Sequence, residues 1–571
     1  MSIYDLQFTI YNLRSSCFAP LRLCVIMLVC SVQLFSQHNS AIGNEDLIEQ
    51  FQNTTRISSA HSSVKPILDL DLYDEYRILF EEDSLSPLLK DPLALIEIRK
   101  AALINYEKYS RKDSKIVQTH FAIHPIYDFT GGRDLKAKNT IFNTSGGVML
   151  DADIHQKLGI EARFVTGISS LQNNLDSVAQ FSGMMPGYGD RAYRLANGNY
   201  AFQHLSGNII YRPSKVFNIQ IGRDKHFWGE GYRSLFLSDC GMAMPYLKMQ
   251  TTIWKLQYTS LFTWMQDWTN SNGLAKDFRS KFGTFHYIDF NANKWLNLGI
   301  FESIIFQGND SYRYRGFDPN YLNPIIFYRP VEYSLGSSDN AMLGLALKLR
   351  FNRNNLFYSQ IILDEFYLKE IKNWSAGWWA NKQGIQMGYK IFNVADCPGL
   401  NLQMEMNIVR PYTYTHGSAQ QNYANAGMPL AHPLGANFGE GVGILSYYHE
   451  GFSVMGKMVM SAMGLDTAGK NYGQNIFLPY GTRSATTAGA HVSADYNHHI
   501  LDGSKSILVS MEVVASYRFN TKFPLRAELI AGTWGLHQYG NGIKNRATAV
   551  NKSSYVQLGL SLPLYRTYRD Y

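Results

Sequence analysis

Of 571 residues, 17% are charged and 14% aromatic, with 37 Tyr, 32 Phe and 46 Gly, and the formal net charge is +7. Soluble domains usually carry roughly 25% charged residues; so many rings on a soluble surface would form sticky patches, whereas a barrel in lipid uses them on its outer wall and in interfacial girdles. The positive excess gathers in no long basic block, which argues against a nucleic-acid partner.

The first element is an apolar run, Leu23 to Phe35, preceded by Arg14 and Arg22 and followed by Ser36-Gln37. Its length suits the core of a secretion signal and falls short of the ~20 residues of a spanning helix. Residues 1–36 are therefore expected to be a signal peptide that exports the chain. Of the five Cys, Cys240 and Cys397 would then remain, enough for one disulfide and too few for a thiolate metal site. Residues 37–63 are polar and rich in Ser, Asn and Gln, and predict a flexible lead-in. In 64–116 the pattern turns helical. Asp91-Pro92 precedes an apolar stripe through Leu93, Leu95, Ile96, Leu103 and Tyr106, which predicts a helix near 92–111; Pro66 to Phe80 predicts a second. Together they would form a small periplasmic helical region before the sheet.

From residue 117 to 571 the pattern has period two, the behaviour of strands with one apolar and one polar face. Leu158, Ile160, Ala162 and Phe164 alternate with Gly159, Glu161 and Arg163; Leu402, Met404, Met406 and Ile408 alternate with Gln403, Glu405 and Asn407; Val556, Leu558 and Leu560 alternate with Gln557, Gly559 and Ser561. Met458 and Met460 also share one strand face and suit a barrel wall. An aqueous lumen tolerates the charged faces while lipid covers the others. Short joins near 155–157, 213–216, 292–295, 351–355 and 449–452 are interleaved with long ones near 171–199, 223–245, 307–340, 366–381, 410–440 and 464–483. That is the alternation of periplasmic turns and external loops. The segments number about nineteen, but an odd count cannot return both ends to the periplasm, so the expected fold is an antiparallel outer-membrane barrel of about eighteen strands. The alternation breaks down between Phe217 and Trp268 and in the last four segments, where the miscount should lie.

The long loops carry distinctive words: Gly222-Arg-Asp-Lys-His-Phe-Trp-Gly-Glu-Gly-Tyr-Arg-Ser-Leu-Phe-Leu-Ser-Asp239, Tyr321-Leu-Asn-Pro-Ile-Ile-Phe-Tyr-Arg-Pro330, Leu363-Asp-Glu-Phe366, Trp378-Trp-Ala-Asn-Lys-Gln-Gly384, Arg410-Pro-Tyr-Thr-Tyr-Thr-His416 and Leu430-Ala-His-Pro-Leu-Gly-Ala-Asn-Phe438. In these words, and over most of the region from about 120 to 460, the chain resembles the capsule-assembly Wzi family. The likeness is to its Bacteroidetes form, the branch that includes the gliding-motility protein RemB. The resemblance implies an eighteen-stranded outer-membrane barrel with a helical bundle toward the periplasm. It also implies a surface role, either as a lectin that attaches capsular polysaccharide or as a component linked to gliding. It carries over no residue-level sugar site.

Sugar rings are recognised by flat aromatic faces and bidentate polar groups, with Arg where the polymer is acidic. On that chemistry Arg223, Trp228, Tyr232, Arg233, Trp378, Trp379, Asn381 and Lys382 are candidate polysaccharide ligands, although Trp378 and Trp379 also suit an interfacial girdle or a loop core. Glu161, Arg163, Arg329, Glu332, Asp339, Asp364, Glu365, Glu405, Asn407 and Arg410 are expected to form a polar network in the lumen. The chain has no G-x-S-x-G elbow, and Ser337, His416 and His432 have no spacing that shows convergence. His498-His499 lacks a recognisable third metal ligand. The expectation is a non-enzymatic protein without cofactor or metal, whose partners are surface polysaccharide, outer-membrane lipid and possible motility or secretion proteins. A passive solute channel is a further alternative.

Overall fold

The structure, a computed structural model, describes residues 61–68, 104–112 and 115–571 apart from 155–156, 270, 272–273, 309–315, 324–338, 366–367, 450, 468, 485–493, 520–524, 540–547 and 563–567. The expected signal peptide, the lead-in up to residue 60, residues 69–103 of the helical region, and Arg329 and Glu332 lie outside the described residues.

Alternating side chains and antiparallel pairing close an eighteen-strand barrel. The first six strands are β1 (Lys115–Asp134), β2 (Asn139–Ile154), β3 (Leu158–Ser170), β4 (Tyr200–Tyr211), β5 (Phe217–Asp224) and β6 (Met244–Ile253). Next come β7 (Leu256–Asp267), β8 (Arg279–Asn291), β9 (Leu296–Gln307), β10 (Asn340–Asn352), β11 (Asn355–Leu363) and β12 (Gln383–Ile391). The ring is completed by β13 (Leu400–Val409), β14 (Phe438–His449), β15 (Phe452–Leu465), β16 (Ser504–Arg518), β17 (Arg526–Gln538) and β18 (Thr548–Ser561). Residues Tyr555–Ser561 of β18 pair with Asp128–Asp134 of β1 and shut the ring.

The period-two pattern is realised as two faces. Val556, Leu558 and Leu560 point outward at 43%, 65% and 42% exposure, while Glu405 and Asn407 are 4% and 0% exposed between outward Met404 and Met406. Met458 and Met460 are also outward. In a bilayer the outward rows meet acyl chains and the inward rows meet the lumen. Short joins, including 212–216, 292–295 and 353–354, gather at one end, which is periplasmic by that asymmetry. Joins 171–199, 225–243, 308–339, 410–437 and 466–503 stand at the other, with the tight 135–138 hairpin the exception there. The turn missing from the 217–268 pattern is Trp254-Lys255, a two-residue hairpin between β6 and β7. Trp254 adopts φ 55°, a conformation that such turns usually assign to Gly or Asn, so its sequence gave no turn signal. Its exposed ring joins Trp295, Phe351 and Phe519 at the periplasmic rim.

Three expectations near the N-terminus are corrected. Residues Ile104–Lys112, read as the end of a helix, form a strand paired with Lys115–Ile123 of β1. The cause is the length of β1: β18 covers only its far half, and an open backbone edge beside lipid is costly. Residues 64–68, assigned to the helical region, are extended, and Val64–Lys65 pairs with Phe227–Trp228 inside the barrel. Ser62 and Ser63, at the end of the predicted flexible lead-in, are buried there and donate to Glu230 Oε1 at 2.5 and 3.1 Å. The α-helices that appear among the described residues, α1 (Asn173–Ser182) and the short α2 (Leu368–Lys372), lie in external loops. Cys240 and Cys397 are both free; one belongs to an external loop folded into the lumen, the other to a periplasmic turn, so the barrel's height separates them.

Candidate functional site

The external loop 225–243 turns inward, and almost every residue in it is buried. A loop in water satisfies its peptide groups with solvent; one in a lumen needs wall side chains to do so. Gln360 of β11 accepts from Leu235 N at 2.8 Å and donates to Trp228 O at 3.0 Å. Gln386 of β12 donates to Arg233 O at 2.9 Å. Glu405 of β13 accepts from Tyr232 N at 2.7 Å, Arg233 N at 3.0 Å, Tyr358 Oη at 2.7 Å and Asn407 Nδ2 at 2.9 Å. The inward polar face of three adjacent strands is thus a cradle for one loop.

Apolar packing locks the same loop. Trp228 stands edge-on to Phe285, Tyr287 and Phe301, and Phe236 stacks on Phe301 with centroids 4.6 Å apart. From loop 410–437, Tyr414 Oη donates to Leu235 O at 2.9 Å and Tyr423 Oη to Phe236 O at 2.6 Å. Glu230 meets Lys348 Nζ at 2.8 Å. Burial would raise its carboxyl, but Lys348 and Lys65 more than reverse that and hold it well below the usual range.

A third segment enters the lumen from beyond β18. Arg233 lies 3.3 Å from both Glu440 and Asp570, Tyr568 Oη donates to Asp239 at 2.6 Å, and Trp534 Nε1 donates to Tyr571 O at 2.9 Å. Arg569 reaches Glu512 at 3.2 Å, and Lys457 bridges Glu512 and Asp570 at 3.2 and 3.5 Å. Beside this plug lies a cavity of about 300 Å³ lined by Lys457, Glu512 and Arg569, by Gln172 and Tyr188 of an external loop, and by Lys390 and Arg526 toward the periplasm.

The sequence-derived candidates divide accordingly. Trp228, Tyr232, Arg233, Asn381 and Lys382 are 0%, 8%, 1%, 1% and 0% exposed, so they are interior groups that a surface glycan would not meet. Arg223 is partly exposed and pairs with Asp190. Trp378 and Trp379 are half-buried at the outer mouth, 6.4 Å apart. Tyr480 packs 4.8 Å from Trp379, the Arg483 guanidinium lies 4.4 Å from the Trp379 ring centre, and Lys382 Nζ lies 4.4 Å from that of Tyr480. Tyr480 and Arg483 were not singled out in the sequence, and no local pattern marks them: only the fold of loop 466–503 brings them to the Trp pair.

Of the expected lumen group, Glu161 and Arg163 form an ion pair inside the wall, and Arg163 reaches Asp224 at 3.3 Å. Asp364 accepts from Tyr414 N at 2.8 Å; Lys382 lies 3.9 Å from it and 3.3 Å from Glu365. Asp339 accepts from Tyr321 Oη at 2.7 Å. Asn407 donates to Glu440 at 3.0 Å, and Arg410 donates to the carbonyls of Trp378 and His498 at 3.3 Å each. His416 and His432 are buried separately, against Gln421 and Glu440. Among the described residues no three His, Cys, Asp or Glu side chains gather as a metal site.

Known structures recognise this architecture. Wzi of Escherichia coli, described as an outer-membrane protein involved in group 1 capsule assembly and a carbohydrate-binding β-barrel, superposes with a TM-score of 0.53 at 14% identity, over 92% of this chain and 99% of that one. The chain is an outer-membrane β-barrel. OprD of Pseudomonas aeruginosa aligns over 77% of this chain at 8% identity with a TM-score of 0.41, and OccAB2 of Acinetobacter baumannii over 77% at 8% identity with the same score. No family model and no curated protein matches the chain. Among the described residues no helix is long and apolar enough to cross a membrane; the strands make the crossing.

Proposed function

We propose that this barrel binds or anchors surface polysaccharide through its outer loops and catalyses nothing. The observation that carries the reading is the inward folding of loops 225–243 and 410–437: residues that would line a solute path are used up in internal contacts, and an aromatic cluster of Trp378, Trp379 and Tyr480 is left at the outer mouth. Trp378 keeps a partly exposed ring of the kind that sugar stacking uses. The carbohydrate-binding barrel with which it shares its fold supports the same reading. Deleting the gene and comparing cell-bound with shed polysaccharide tests it; intact retention refutes it.

A second reading rests on the resemblance of the loop words to the Bacteroidetes branch that includes RemB: a structural part in gliding or secretion machinery. It expects lost gliding on agar and co-purification of motility or secretion proteins, with polysaccharide retention unchanged.

A further inference from the structure

Three arginines at the outer rim are neutralised: Arg223 pairs with Asp190, Arg279 with Asp267 and Arg483 with Asp495. One sector of the wall gathers cations that are not. On the adjacent strands β16, β17, β18 and β1, Lys505, Lys552 and Arg133 fall on the outward row at the outer end, and Lys136 and Lys138 crown the 135–138 hairpin beside them. All five are exposed, and none has an ion-pair partner among the described residues.

The register brings them together. Leu135 N donates to Ser554 O at 2.6 Å, and Asp134 accepts from Ser553 Oγ, so the hairpin tip is fastened to β18 close to Lys552. Tyr539 N donates to Lys505 O at 2.9 Å, which aligns Lys505 with the outer end of β17. At about 4.8 Å between neighbouring strands, the four strands span roughly 15 Å of wall.

The carboxylates of these strands all take the other face: Asp134, Glu512 and Glu528 are 0%, 3% and 7% exposed, and Asp128 lies on the same inward row. The helix above, α1, contributes Asp176, which is already occupied by Tyr200 Oη at 2.6 Å and Gln180 Nε2 at 2.7 Å. Below the cations the outward row is hydrocarbon: Phe129, Val513, Leu529 and Leu558 are 48%, 51%, 47% and 65% exposed.

Cations over an apolar wall at the outer interface match one kind of molecule, an outer-leaflet lipid whose headgroup bears phosphate. We propose that this sector is a docking site for such a lipid, with Arg133, Lys136, Lys138, Lys505 and Lys552 on the phosphates and the wall below on the acyl chains. A soluble acidic polymer would use the charges and leave the apolar wall unexplained. Each cation near an anionic headgroup adds a modest attraction, so the five act as a group rather than through one residue.

The test is native mass spectrometry of the full-length barrel, released from zwitterionic detergent after addition of diphosphoryl lipid A or its dephosphorylated counterpart. The wild type and a charge-conserving variant (Arg133→Lys with the four lysines changed to Arg) should retain the diphosphoryl lipid. The variant with all five changed to Ala should retain it roughly ten-fold less or weaker still. Heat-modifiable migration checks that each variant is folded. Trp378→Ala with Trp379→Ala should retain the lipid like the wild type, which separates this site from the polysaccharide reading. Equal retention by the Ala variant, equal retention of the dephosphorylated lipid, or displacement of the lipid by soluble polyuronate at matched charge would overturn the proposal.

Discussion

A single carboxylate illustrates how the loop plug is held. Glu405 receives two consecutive backbone amides of loop 225–243 together with Tyr358 and Asn407. Removing it strands two buried N–H donors, at about 1–3 kcal/mol for each unsatisfied group. Glu405→Ala should therefore leave the barrel heat-modifiable but raise single-channel conductance in planar bilayers; conductance equal to wild type would show that the loop holds without it. Protons act on the same plug. Burial, with Lys382 nearby, lowers His416 from 6.5 to about 4, so an opened loop takes up a proton at a pH where the closed one resists it. The contribution of neutral His416 to closure is then fully present above about 6.5 and is lost as pH falls toward 4. Conductance should rise over that window, and His416→Gln should flatten the rise. Outside the lumen, Trp378→Ala with Trp379→Ala should weaken glycan binding in a pull-down while folding is retained.

At the scale of elements, the lumen is filled by pieces that come from far apart in the chain. Residues 61–68, loop 225–243, loop 410–437 and residues 568–571 meet inside one wall. The ion network joining Arg233, Glu440, Asp570, Lys457, Glu512 and Arg569 ties the last of these to β14, β15 and β16. Breaking a buried pair by removing one partner typically costs about 3–5 kcal/mol, because the other charge stays buried. A variant lacking 568–571 should therefore lose Arg233's anchoring and show larger, noisier conductance than the full chain, whereas a silent, closed barrel would mean that loop 225–243 plugs alone. The pattern for this segment was not legible. Tyr568-Arg-Asp-Tyr571 has no periodicity of its own, and its partners, from Arg233 and Asp239 to Trp534, lie more than one strand away along the sequence.

For the whole molecule, the wall was far more legible than its contents. Period-two alternation in Leu158–Phe164, Leu402–Ile408 and Val556–Leu560 specified which face meets lipid, since a strand between hydrocarbon and a wet lumen has no other stable choice. The closed ring follows because an edge in lipid has no water to satisfy it. Where the reading failed, the reason was again physical. Ile104–Lys112 became a strand because the long β1 offered it an edge, and Trp254-Lys255 turned without a turn residue because the two strands had already set the register. The sequence by itself thus determined an exported-type barrel wall, its outward and inward rows and its long loops at one end. Tertiary structure alone decided that those loops fold inward, that Trp228 and Arg233 are interior while Trp378 stays at the mouth, and that five unpaired cations share one outer sector. Alternation is a local property fixed by the medium on each side of a strand. The destination of a loop depends on partners hundreds of residues away.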